Sequence, residues 1–324
     1  MNDTLKQRCK LFISNRDIIK ESFGWESIYM YPLCANIFVT KNQQADIERM
    51  QEYKKLLKQK TKIFSSFRRT SRLATISYLA IDENPEEKMN NLVKVYKLLT
   101  NVFYASEYLP ITALIITDLA EPDNYEYIVG RTRRIYDLMK EQHRFLTSTE
   151  DCTLAAILAF SEKKKQQLID DMVSCFKILS EYFDSKSAVQ SLTHVLALGD
   201  GTAEEKCRRT IELFETLKDK GYNYGTEYEL PALGVLALLP ADIKKLAYDM
   251  IDVDDYLCKK TGFNAFGVGV KQRLMYAGML VSEDYIEAPE KHEMNAAVIN
   301  STISFVIAQE AAMCAAIAAS SVLH

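Results

Sequence analysis

Apolar and polar positions along this chain fall into two kinds of segment that alternate at a fixed spacing. The first kind is short, rich in small residues and apolar nearly all round. RLATISYLA begins at Arg72, TALIITDLA at Thr112, TLAAILAFS at Thr153, SLTHVLALG at Ser191, PALGVLALL at Pro231 and RLMYAGMLV at Arg273, and successive starts lie 38 to 42 residues apart. The second kind is charged and amphipathic: VYKLL from Val95, IYDLM from Ile135, CFKIL from Cys175, LFETL from Leu213 and VDDYL from Val253, spaced 38 to 40 residues apart. Two anchors that keep one period in phase identify a structural repeat. Each unit resolves into an inner helix buried on most sides and an outer helix with one polar face, the division that lets stacked hairpins bury a continuous core.

Boundary residues fit this reading. Asn84, Pro85 and Glu87 have the order of an N-cap, a first-turn proline and an N3 acid, and Thr202 with Glu205 has the spacing of a capping box. Pro110 and Pro231 stand at the starts of inner helices, where the missing amide would have had no intrahelical partner. Ala155, Ala156, Ala159, Ala197, Gly234 and Ala237 would let inner helices approach closely. The expected fold is all-α: an α-solenoid or α-α superhelix of about six helical hairpins with a period near 40 residues, capped by helices at both ends. Residues 1–66 are expected to supply an N-terminal cap of two or three helices with a break at Gly24 and Trp25. Residues 67–284 form the hairpin array, and residues 285–324 an apolar C-terminal capping helix. No Ser/Gly-rich linker divides the chain, which reads as one continuous domain.

Composition sharpens the exclusions. Only 11 Gly and 7 Pro are spread over 324 residues, too few for a sheet protein with many tight turns. A net charge of -4 is not that of a generic polyanion binder. Seven cysteines form no CxxC and no Cys/His pair at zinc spacing, so they read as reduced, mostly buried thiols of a cytoplasmic protein. MNDTLKQRCKLF lacks an apolar stretch of signal-peptide length, and secretion by that route is not expected. The stretch from Ala296 to Leu323 is rich in Ala, Ile and Val, but Gln309 and Glu310 would lie mid-span, the acid at about 2.5 kcal/mol or more. It reads as a buried or self-associating helix.

Several segments resemble a known family. FSSFRR from Phe64, ISYLAIDENPEEKM from Ile76, YASEYLPITA from Tyr104, IYDLMKEQHRFLTSTED from Ile135 and VQSLTHVLAL from Val189 together resemble the bacterial family catalogued as domain of unknown function 4003. The resemblance runs from roughly Trp25 to Leu280 and is most specific in HRFLTSTED and QSLTHVL. It implies a cytoplasmic bacterial protein and brings with it no established activity, ligand or catalytic residue.

Candidate chemistry is sparse. His143, Thr147, Ser148, Glu150 and Asp151 share the loop HRFLTSTED, and a histidine, hydroxyls and acids together invite a catalytic reading. Against it, Thr147 and Glu150 have capping-box spacing, and a charged His143 near a helix C-terminus would suit the macrodipole. His194 lies within an apolar inner segment, where a core histidine hydrogen-bonded to a neighbour is the commoner outcome. Asp118, also on an inner segment, is expected either to point outward or to meet Arg131 or Arg134. Lys54, Lys55, Lys58, Lys60, Lys62, Arg68, Arg69 and Arg72 form a run without an acid, which reads either as a solvated helix face or as an anion-binding surface with Phe64 and Phe67 as stacking groups. The histidines at 143, 194, 292 and 324 show no metal spacing. No GxxxxGK[ST], GxGxxG or GxSxG occurs. The glycines of GFNAFGVGVKQR fall where a hairpin loop is expected.

These readings point to a non-catalytic protein that presents the surface of a helical array to a protein or peptide partner. Its low-grade binding candidates are Arg68, Arg69, Arg131, Arg134, His143, Asp151 and His194, and no cofactor or metal is expected. The alternative is an enzyme with a pocket in a closed α/α toroid, marked by acids converging on His143 or His194. A third reading is nucleic-acid or anion binding through the Lys54 to Arg72 surface. Neither nucleic acid nor membrane is the expected partner, and the C-terminal segment offers a homodimer contact.

Overall fold

The computed structural model describes residues 1–24, 26, 28, 30–61, 67, 71–106, 108–149, 151–225, 229–264 and 268–286. Among them are fourteen α-helices and no strand. The first three are α1 (Asp3–Ser22), α2 (Met30–Val39) and α3 (Ile47–Lys60). They are followed by α4 (Arg72–Ala80), α5 (Pro85–Val102), α6 (Leu109–Leu119), α7 (Tyr125–Gln142) and α8 (Asp151–Leu158). Then come α9 (Lys165–Leu179), α10 (Lys186–Leu196), α11 (Ala203–Asp219), α12 (Leu230–Leu238), α13 (Ile243–Leu257) and α14 (Val270–Ile286). Expectations for residues 287–324, the C-terminal capping helix and its homodimer contact included, lie outside the described residues.

The two kinds of sequence segment become two kinds of helix. RLATISYLA is α4 from end to end, and every residue of α8 is buried. The even-numbered helices from α4 to α12 are only 8 to 11 residues long, and the intervening odd-numbered ones run 15 to 18 residues with a narrow buried stripe. A short helix bounded by apolar neighbours has no face to give to water, whereas a longer amphipathic one covers it and meets solvent itself.

Chain contacts gather the molecule into two compact units. In the first, residues 10–141 and 147–160, α2 packs on α4, α3 on α4 and α5, α5 on α6, and α6 on α8. The pairing of α3 with α4 runs across residue 66. All ten residues of α2 are buried, and the Asn15 side chain ties α1 to the turn before α3 by donating to Gln43 O at 2.9 Å and accepting from Ala45 N at 2.9 Å. Between α6 and α8 the Thr112 and Thr153 hydroxyls meet at 3.0 Å in the interior, so two polar groups that would be costly alone satisfy each other.

In the second unit, of the described residues 1–9, 142–146 and those from 161 to 286, α10 packs on α9 and α12, α11 on α9, α12 and α13, and α14 on α12 and α13. The Arg8 guanidinium donates to Leu280 O at 3.2 Å and pairs with Asp284, while the Asn2 amide donates to Asp284 at 3.0 Å, so residues 1–9 are seated on α14. Gly234 lets α12 approach α10: a Cβ there would lie 2.4 Å from Leu192 Cδ1.

Thr202 caps α11 as its spacing predicted, accepting from Glu205 N at 3.2 Å. Two caps differ from expectation. The Asn84 side chain accepts nothing from α5; the Asn84 backbone N–H instead donates to Asp82 Oδ1 at 2.9 Å. In HRFLTSTED the reciprocal bond joins Ser148 N to Asp151 Oδ2 at 2.8 Å, one residue beyond the Thr147 to Glu150 register. Thr147 Oγ1 has turned back to Met139 O at 3.3 Å.

Candidate binding surface

Basic side chains organise the ends of the inner helices. The last carbonyls of a helix have no partner within it and carry the negative end of its dipole. Arg209 on α11 donates to Ala237 O at 2.7 Å, Leu239 O at 2.6 Å and Ala241 O at 3.0 Å, closing the C-terminus of α12. Lys163 does the same for α10, donating to Ala197 O at 2.9 Å and also to Gly199 O. Lys206, only 2% exposed, shares Gly199 O at 3.3 Å and pairs with Asp171. In the first unit Arg49 donates to Asp82 O beyond the end of α4. Each of these cations is committed to the fold, which removes them from the pool available to a ligand.

Three members of the basic run are engaged in the same way. The Lys54 ammonium sits 5.3 Å from the centre of the Phe23 ring, Lys60 donates to Asn90 at 3.1 Å, and Arg72 pairs with Glu26. Lys62, Arg68 and Arg69, the centre of the expected anion surface, lie outside the described residues. Asp118 is exposed and pairs with Lys88 at 2.7 Å, so it points outward as one of its two expected outcomes required, and its partner is neither Arg131 nor Arg134. Both of those arginines are on α7, Arg131 half-buried and Arg134 exposed.

His143 and His194 belong to the second unit and lie near each other. The His143 ring is 4.3 Å from that of Phe176 on α9. Burial, reinforced by His194, pushes its imidazole below the ordinary value. His194 is buried on α10. Asp151 is buried as well, its carboxylate engaged in the cap of α8. Among the described residues no three His, Cys, Asp or Glu side chains gather where a metal ion could be held.

What the structure leaves toward water is the turn from His143 to Leu146, closed by a bond from Leu146 N to His143 O at 3.0 Å. Arg144 and Phe145 occupy its two corners; Arg144 is exposed, and Phe145 is 98% exposed. In the first unit the loop after α5 carries Tyr104 at 92% exposure. Sequence reasoning treated HRFLTSTED as a possible catalytic loop and overlooked its phenylalanine, although a large aromatic directly after Arg144 in a polar loop was a legible signal.

Comparison with known proteins bears on the whole chain rather than on this turn. The pattern of the family described as "Protein of unknown function (DUF4003)" matches residues 15–312. The chain belongs to the DUF4003 family. This DUF4003 chain is also similar to "Uncharacterized protein YeaA" of Bacillus subtilis (strain 168), 24% identical over 324 residues that cover 98% of the chain and 95% of that relative. No solved structure matches. No described helix of this DUF4003 chain is long and apolar enough to cross a membrane.

Proposed function

We propose that this DUF4003 chain is a non-catalytic binding protein of the cytoplasm, in which helix pairs stack within each unit as successive solenoid-type repeats and the turn from His143 to Leu146 contacts a protein or peptide partner. The exposure of Phe145 carries the reading. A phenylalanine held at the corner of a hydrogen-bonded turn gains about 1.5–3 kcal/mol when it is removed from water, and aromatic and arginine side chains are the usual centres of protein interfaces. Arg144 beside it supplies a directional donor for a carboxylate or backbone carbonyl of the partner. The six described cysteines, all free thiols, support a reducing compartment.

The test is affinity capture from lysate of the source organism with wild-type protein and with the Phe145→Ala and Arg144→Ala variants, at low and high salt. Both side chains project into solvent, so the variants should melt at the wild-type temperature. The expected outcome is a protein retained by the wild type at high salt and lost, or weakened at least tenfold, with Phe145→Ala. Equal capture by all three would remove the turn from consideration. Recovery only of nucleic acid that elutes with salt would favour the basic surface instead.

A further inference from the structure

Between α10 and α11 the chain is fixed at two points and free between them. Gly199 is buried against α12, where a Cβ would lie 2.3 Å from Leu238 Cδ2, and its carbonyl accepts from the Lys163 and Lys206 ammonium groups. Thr202 is pinned as the cap of α11. Asp200 and Gly201, the two residues between these points, are both exposed. Among the described residues the Asp200 carboxylate has no hydrogen bond or ion pair, and the Gly201 amide donates to nothing. Gly201 has a φ of +90°, a conformation glycine adopts without strain.

This combination bears on the chemistry of the peptide bond itself. An aspartyl carboxyl has a nucleophile one residue ahead, the nitrogen of the following peptide. Attack is hindered by a side chain on that following residue, by a hydrogen bond that occupies the nitrogen, and by a cation that holds the carboxylate. Asp118, Asp137 and Asp249 are held by Lys88, Arg133 and Lys245, and each stands inside a helix, where the next residue is too large and regular bonding ties the backbone. At Asp200 all three hindrances are missing, and this is the one Asp-Gly sequence in a chain that has no Asn-Gly.

We propose that Asp200 isomerises to isoaspartate in the folded protein, through a cyclic imide with Gly201, and that the change loosens the junction of α10 with α11. The Gly201 nitrogen attacks Asp200 Cγ. A C–N bond forms, a C–O bond breaks, and the carboxyl OH leaves as water with the amide proton. A second water then adds to the Asp200 backbone carbonyl carbon of the ring; the bond from that carbon to the Gly201 nitrogen breaks, and a proton returns to the nitrogen. The chain now runs through Cβ and Cγ of Asp200, one carbon longer, and the former backbone carbonyl has become a carboxylate. One water is released and one consumed, so the mass is unchanged and no oxidant or cofactor is needed. The added carbon falls between Gly199, whose carbonyl anchors Lys163 and Lys206, and the Thr202 cap.

The experiment ages full-length folded protein at pH 7, beside the same protein in urea and a synthetic peptide spanning residues 196–205. Isoaspartate is read with a purified isoaspartyl methyltransferase and a radiolabelled methyl donor, and is located in the digest by electron-transfer fragmentation. The expected result is isoaspartate at Asp200 in the folded protein, formed at a rate of the same order as in the peptide, with a thermal midpoint lowered by a few degrees. Asp200→Glu keeps the charge but would need a slower six-membered ring, so it should stay unmodified and hold its midpoint. Asp200→Asn should react several-fold faster with loss of ammonia, because a carboxamide is a better electrophile than a carboxylate. Asp200 makes no contact that either substitution removes, so both variants should fold. A folded protein free of isoaspartate when the peptide has converted would overturn the proposal, as would an equal loss of midpoint in aged wild type and aged Asp200→Glu.

Discussion

A lysine side chain removed from water needs other groups to replace the solvent, and Lys206 shows how the fold supplies them. It is 2% exposed, yet Asp171 supplies a countercharge and Gly199 O a dipole. Lys163 uses the same carboxylate, at 3.3 Å. Removing the acid leaves two cations facing each other, whereas removing Lys206 leaves an intact Lys163 to Asp171 pair. Asp171→Asn should therefore destabilise by about 3 kcal/mol or more, and Lys206→Met, which keeps the volume, by clearly less. Denaturant unfolding of the two variants gives the order, and the reverse order would mean that the Lys206 bond to Gly199 O outweighs the shared countercharge. Asp82 gives a pH dependence. Burial by itself would raise its carboxyl, but the Lys88 and Asn84 hydrogen bonds and the charges of Lys88 and Arg49 bring it below the ordinary value. A depressed folded value means that stability is fully present above the unfolded value of about 4 and is lost as the pH falls through the folded one. Melting temperature should decline on acidification below about pH 4, and Asp82→Asn should flatten part of that decline.

Helix identity was legible in the sequence because periodicity reports which faces are buried, and the segments beginning at Arg72 and Val95 fall inside α4 and α5. The basic caps were not legible. Arg209 reaches carbonyls 28 to 32 residues away, and no local pattern announces a side chain whose partner is a backbone atom on another element. Asp118 shows the same limit: its partner Lys88 is 30 residues distant, beyond the nearby arginines that spacing suggested. The turn carrying Phe145 was half legible, since its loop was recognised but its exposed aromatic was not weighed. Gly234 offers a test at the level of the helix pair. Its lack of a side chain is what allows α12 to lie against Leu192, Val195 and Leu196 of α10, and Gly234→Val should overpack that seam at roughly 1–3 kcal/mol. A calorimetric melt should show the loss; an unchanged midpoint would mean that Leu192 swings aside freely.

At the scale of the whole molecule, several of the buried polar groups are spent on joining one helix to another, as Asn15, Thr112, Lys206 and Arg273 are, and are not left over for chemistry. The seat of residues 1–9 on α14, made by Asn2 and Arg8 against Leu280 and Asp284, imposes an order in time. Residues 1–9 find their partners only after some 280 later residues have been added, which at about 5–20 residues per second takes tens of seconds. Until then the apolar side chains of those first turns have nothing to cover them. The second unit cannot close before α14 has been made, so in the meantime a nascent chain of this protein exposes those turns to whatever shelters hydrophobic segments at the tunnel exit.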